Sequence, residues 1–80
     1  MKHNFINDEI ELDFDPGKRI NSYIKMLENM DLNQQEELYY TSAVEMMDWM
    51  HQDLIDKTIN GSQYEKILEK YVYKIMEENQ

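Results

Sequence analysis

The chain has no cysteine, one proline and two glycines in 80 residues. Without cysteine there is no disulfide framework, no thiolate nucleophile and no sulfur-based zinc site. No run of eighteen apolar residues occurs, which excludes a helix that spans a bilayer. No apolar stretch follows the first basic residues as a secretory signal requires. The expected location is therefore the cytoplasm. Glycine is too scarce for a phosphate-cradling loop. The length leaves no room for a second domain, so residues 1–80 are read as one small domain. Such a domain buries only about 60% of its unfolded surface, and without staples it relies on well-packed helices, a partner or self-association. Cations are few as well: 8 Lys and Arg stand against 17 Asp and Glu, for a net charge of -9. Gly, Ala, Arg and Pro together supply 5 residues, whereas Ile supplies 8 and Asn 7. That codon bias points to an AT-rich genome, such as a low-GC bacterium, its phage or its plasmid.

What is present is 41% apolar residues, enough for one core, arranged around two breaks. The proline and one glycine fall together in Asp15-Pro16-Gly17, and the other glycine ends Asn60-Gly61. Before the first break, Ile10-Glu11-Leu12-Asp13-Phe14 alternates apolar and acidic residues with the period of a half-buried strand, so residues 1–15 are expected to be an extended acidic arm. Residues 1–9 have no period of their own, and the arm is expected to be dispensable for folding. Asp15 is placed to cap a helix opened by Pro16, because proline at the first helical position gives up an N–H that has no partner there. Ile20, Tyr23, Ile24, Leu27 and Met30 then recur at helical spacing and predict a first helix over 16–30.

Asn33 and Glu36 have capping-box spacing. Tyr40, Ala43, Val44, Met47, His51, Leu54 and Ile55 make one stripe down a second helix over 33–59, which a left-handed residue at Asn60-Gly61 should stop. Ser62 and Glu65 repeat the capping-box spacing, and Tyr64, Ile67, Leu68, Tyr71, Val72 and Ile75 form the stripe of a third helix over 63–78. The expected fold is mainly α: a three-helix antiparallel bundle with a long central helix and an extended N-terminal arm or short strand. At 1.5 Å per residue the central helix comes to about 40 Å against about 22 and 25 Å for its neighbours. It should overhang them and invite a second subunit through Ile55 and Ile59, or Leu38 and Tyr39.

Charge is unevenly spread, with residues 1–15 at -4, 16–30 at +2, 31–60 at -6 and 61–80 at -1. Asp31, Glu36, Glu37, Glu45, Asp48, Asp53 and Asp56 lie on or beside the second helix. Such a density approaches that of a nucleic-acid backbone, about one charge per 1.7 Å of duplex axis. The bland reading is a solvated acidic face that keeps a small protein soluble. On a helical wheel Trp49 stands nearly opposite the apolar stripe, rimmed by Glu45, Asp53 and Asp56. That composition fits either an interface hot spot or a tryptophan packed on the first helix or the arm. Met46, Met47 and Met50 fit core filling first and an adaptable binding surface second. A lone strand at Ile10, Leu12 and Phe14 must pack on the helices, pair with its copy or add to a partner's sheet. Lys66, Lys70 and Lys74 interleave with Glu65, Glu69, Glu77 and Glu78 like ordinary helix-surface pairs, and direct nucleic-acid binding is not expected.

Other chemistry finds little support. Glu45, Asp48 and His51 share a helix face, but a carboxylate-bridged bundle site needs a second such set. Glu11, Asp13 and Asp15 imitate the start of a calcium loop, yet Pro16 and Ser22 stand where the loop needs glycine and glutamate. Asn60-Gly61-Ser62 matches a glycosylation acceptor but, lacking a secretory signal, is read as a turn and a cap. Ser22, Ser42 and Ser62 have no accompanying histidine pattern. The expectation is a non-enzyme without cofactor, metal or membrane contact. It would be a small acidic module that masks the basic, nucleic-acid-binding type of surface on a larger protein, as an inhibitor, antitoxin, immunity protein or DNA mimic does. Glu45, Asp48, Trp49, Asp53, Asp56, Ile10, Leu12 and Phe14 are its expected contact residues. The alternative is a homodimeric helical scaffold whose acid excess serves solubility.

Overall fold

The computed structural model describes residues 3–78, and the protein is mainly helical. Residues 1, 2, 79 and 80, the ends of the expected 1–80 domain, and the Glu78 side chain lie outside the described residues. Among the described residues the helices are α1 (Lys18–Leu32), α2 (Glu36–Ile55), α3 (Gly61–Tyr71) and α4 (Tyr73–Glu78). Each differs at its ends from the sequence expectation. The Asp15 carboxylate does not cap α1. It accepts the Gly17 N–H at 2.9 Å and an Asn21 side-chain N–H at 2.6 Å, closing a turn just before the helix. These bonds, the Gly17 one foremost, hold the Asp15 carboxyl below the usual range. Gly17 is then the N-cap at φ 102, a conformation that costs a side-chain-bearing residue but not glycine.

Both of the following helices stop without glycine. After α1, Gln34 adopts φ 55, its N–H reaching Asp31 C=O at 3.1 Å while the Gln35 N–H reaches Met30 C=O at 2.9 Å. After α2, Lys57 adopts φ 64, its N–H reaching Leu54 C=O at 3.2 Å while the Thr58 N–H reaches Asp53 C=O at 2.9 Å. Each is a Schellman stop that satisfies the last orphan carbonyls. Asn33 therefore closes α1 and does not open α2. Nor is Asn60-Gly61 the stop of α2. Asn60 is the N-cap of α3 and forms a reciprocal capping box with Gln63, at 2.8 and 3.0 Å, two residues ahead of the expected Ser62–Glu65 pair.

The early end of α2 follows from its buried face. That face is Tyr39, Ser42, Ala43, Met46 and Met50. It is turned by about one residue from the expected stripe of Tyr40, Ala43, Val44, Met47, His51, Leu54 and Ile55, with which it shares Ala43. Tyr40, Val44 and His51 are exposed, and Ile55 is 71% exposed. Nine residues after Met50, a continued helix would carry Ile59 to the side opposite the core. Stopping at Ile55 lets the chain fold back and bury Ile59. With 20 residues α2 is about 30 Å long, shorter than the expected length of about 40 Å and close to the molecule's long axis of 33 Å. Of the residues expected to be uncovered there, Tyr39 and Ile59 are buried, whereas Leu38 and Ile55 are exposed. The other two stripes hold. Ile20, Ile24 and Leu27 of α1 and Ile67, Leu68 and Tyr71 of α3 are buried, continuing into Val72 and Ile75, with Tyr23, Met30 and Tyr64 partly so.

The N-terminal segment is part of the core, contrary to the expectation for residues 1–9. Phe5 and Ile6 are buried, and the Phe5 ring packs on Tyr39 with centroids 5.2 Å apart. The segment is fastened at Asp31, a carboxylate 1% exposed in the last turn of α1. The Asn4 and Phe5 N–H groups donate to its two oxygens at 3.1 and 2.5 Å, and the Asn4 side chain donates to its backbone carbonyl at 3.0 Å. Further along, the Asn7 N–H donates to Lys70 C=O at 2.8 Å, and Lys70 Nζ donates to Ile10 C=O at 2.6 Å. Tyr39 Oη donates to Tyr71 C=O at 2.7 Å, so the carbonyls at the end of α3 are bonded by the segment and by α2. Burial first, then the Asp31 charge, pushes the Tyr39 hydroxyl far above its ordinary pKa; burial likewise pushes Tyr71 up to about 12. The expected third helix is interrupted at Val72, where φ is -118. No strand occurs among the described residues; Ile10, Leu12 and Phe14 are each half-buried, and Leu12 and Phe14 pack against the core.

Two stability outcomes follow. Asp31→Ala strands the buried Phe5 N–H and the partly buried Asn4 N–H and is expected to cost about 3 kcal/mol, since bonds to a charged acceptor contribute about 1.5–3 kcal/mol each. Asp31→Asn, which keeps one acceptor, should cost less. Denaturant unfolding of the two variants checks the order, and equal stability of Asp31→Ala and the parent would contradict it. Gln34→Gly and Lys57→Gly should each stabilise by about 0.5–1 kcal/mol. The left-handed conformation costs a non-glycine residue about 1–2 kcal/mol, of which glycine's extra unfolded-state entropy returns about half. A fall in melting temperature for either would refute the reading of these stops.

Candidate functional site

The turn of α2 that buries Tyr39, Met46 and Met50 also decides what faces outward. Trp49 lands on the flank of the buried face beside α1, 41% exposed. Its Nε1–H donates to Tyr23 Oη at 3.1 Å, and the Arg19 guanidinium carbon lies 4.1 Å from the centre of its ring, within cation–π range. Both α1 partners come from its first half, so the late part of α2 meets the early part of α1. The indole is thus oriented by a hydrogen bond and a stacked cation while much of its surface stays in water. Tyr23, Glu45, Asp48, Trp49 and Gln52 together line a shallow open groove.

The carboxylates around it are unneutralised. The segment Glu36–Ile55 has five acids and no lysine or arginine. Among the described residues the ion pairs are His3–Asp8 and Lys66–Asp13, so none of the α2 acids is paired. Glu45, Asp48 and Asp56 are exposed, whereas Asp53 is half-buried. Asp56 accepts from the Gln52 side chain at 3.2 and 3.3 Å, a neutral contact that fixes the carboxylate without cancelling its charge. Of the expected contact residues, the structure brings Glu45, Asp48 and Trp49 to one groove and puts Asp53 and Asp56 outside its lining, one and two turns further toward the C-terminal end of the same helix. Ile10, Leu12 and Phe14 are elsewhere, against the helices. Arg19 and Tyr23 are the site residues that sequence reasoning missed. Tyr23 is expected only as part of the first helix's apolar stripe, and no expectation attaches to Arg19, the chain's one arginine.

The cations of α3 are also used differently than expected. Lys66 pairs with Asp13 of the arm at 3.3 Å, and Lys70 holds the carbonyls of Asn7 and Ile10, so they tie the arm down rather than supporting their own helix surface. Glu65 accepts from Tyr73 Oη at 2.8 Å, a bond that raises the Tyr73 pKa. Next to Asn7, His3 and Asp8 are joined by backbone and ring hydrogen bonds that lower the Asp8 carboxyl.

On the other flank of α2, Tyr40, Val44 and Ile55 make a second apolar strip beside His51, whose ring meets Tyr64 edge-on at 5.6 Å. Among the described residues no three His, Asp or Glu side chains converge as a metal site would need, and no helix is long and apolar enough to cross a membrane. No protein-family model, curated protein or solved structure matches the chain.

Proposed function

We propose that the protein is a small acidic binding module that covers a basic surface of a larger protein, of the kind that otherwise holds nucleic acid. Acting so, it would be an inhibitor or DNA mimic. The observation that carries this reading is the set of unpaired carboxylates along α2 and its C-cap, Glu45 and Asp48 beside a half-exposed and already oriented indole and Asp56 two turns further on. Unpaired charge steers a partner of opposite sign and sets a salt-dependent association rate. A fixed aromatic side chain at the centre of such a rim supplies contact area at little entropic cost. The scaffold that goes with this reading is an antiparallel unit of α1, α2 and α3. It is supported by Trp49 meeting Tyr23 at one end of α2 and Tyr39 reaching Tyr71 at the other.

The test uses paired baits. Wild type and the triple variant Glu45→Lys, Asp48→Lys, Asp56→Lys are presented to a lysate at low and at raised salt. These side chains are exposed, so each change should alter stability by no more than about 0.5 kcal/mol. Wild type is expected to retain a basic protein at low salt and lose it as salt rises, and the triple variant is expected not to retain it. Equal retention by both baits would overturn the proposal.

A second reading rests on the apolar strip of Tyr40, Val44 and Ile55 on the other flank of α2. In it the strip pairs with that of a second copy, the commonest closed arrangement for a self-complementary patch. Sedimentation equilibrium from micromolar to millimolar protein should then show a dimer that Val44→Glu abolishes. Because the net charge of -9 opposes pairing, raised salt should favour the dimer. A strict monomer at both salt concentrations removes this reading.

A further inference from the structure

The chain has one arginine and one tryptophan, and the fold stacks them on each other. Arg19 gains nothing from its own helix. It stands in the first turn of α1 beside Lys18, with no acid in that turn and no side-chain cap. A cation there opposes the helix dipole, which favours negative charge at this end. Arg19 also makes no ion pair among the described residues. What it does have is the Trp49 ring, at 4.1 Å.

We propose that Trp49 is a docking post for an arginine side chain of the partner, occupied in the unbound protein by Arg19 as a placeholder. This rests on the reading that the acidic side of α2 meets a basic protein, and it names the group that is received. The groove beside the indole matches a guanidinium on two counts. The ring is held by its bond to Tyr23 and offers a flat surface for a planar cation. Glu45 and Asp48, exposed and unpaired, stand on the same groove and accept the paired N–H donors of a guanidinium. A lysine ammonium meets the carboxylates but has no flat face for the ring. Exchange of one arginine for another leaves the indole stacked throughout and places the incoming cation beside two carboxylates.

The probe is a labelled tetra-arginine amide, with tetra-lysine amide beside it. Binding is read by anisotropy, and the site by the emission of Trp49, the chain's single tryptophan. Tetra-arginine is expected to bind more tightly than tetra-lysine and to change Trp49 emission. Arg19→Gln should tighten tetra-arginine binding about 2- to 5-fold, the equivalent of one exposed cation–π contact of about 0.5–1 kcal/mol. Lys18→Gln removes the same charge from the same turn without uncovering the indole, and it should tighten binding less. Equal effects of the two variants, or binding that leaves Trp49 emission unchanged, would overturn the placeholder. If binding is lost on the Glu45, Asp48 and Asp56 reversal but ignores Arg19 and Trp49, the acidic-face reading stands and the docking post alone falls. If tetra-arginine does not bind wild type at low salt, both fall.

Discussion

Asp31 is buried without an ion-pair partner at the negative end of a helix, where a carboxylate is least welcome. It is tolerated because two backbone N–H groups of the N-terminal segment donate to it. That requirement draws Asn4 and Phe5 onto the end of α1, and Phe5 then lies on Tyr39. Tyr39 in turn must face inward, where its hydroxyl finds the Tyr71 carbonyl at the end of α3. With Tyr39 inside, helical periodicity puts Ala43, Met46 and Met50 inside as well. The orientation of the central helix is thus tied to a carboxylate on another helix and to the segment that solvates it.

The same rotation allocates the charge. Cations on α3 hold the arm, Lys66 through Asp13 and Lys70 through two backbone carbonyls, and Arg19 of α1 lies over an indole. None of them pairs with an acid of α2, whose Glu45 and Asp48 stand on the groove that Trp49 lines. A chain with 17 acids and 8 bases cannot pair them all. The sequence places five unopposed acids on one helix, the fold leaves them without cation partners among the described residues, and a concentrated surplus produces a directed field where an even spread would give little more than solubility.

The stops of α1 and α2 belong to the same logic. Gln34 and Lys57 take a conformation that glycine adopts more easily, at some loss of stability. In return the chain reverses directly after Leu32 and Ile55 and brings Tyr39 and Ile59 to the core. Asn60-Gly61, the most glycine-like stop on paper, opens α3 instead, because Asn60 finds the Gln63 side chain and backbone three residues on.

By itself the amino-acid sequence determined the helical class, the buried faces of α1 and α3, the acid excess on the second helix and the nearness of Trp49 to acidic side chains. Each of these depends on spacing within one segment, and a single-segment period is legible wherever apolar residues fall on one side only. The second helix has apolar residues on two sides, Tyr39, Met46 and Met50 on one and Tyr40, Val44 and Met47 on the other. Its wheel therefore cannot choose between them. Tertiary structure chose, because Tyr39 alone among these reaches a carbonyl 32 residues away while covering Phe5. For the same reason the arm's place in the core and the Arg19–Trp49–Tyr23 cluster had no sequence signal. Both arise from contacts 26 to 63 residues apart in the chain, and no local period records such contacts.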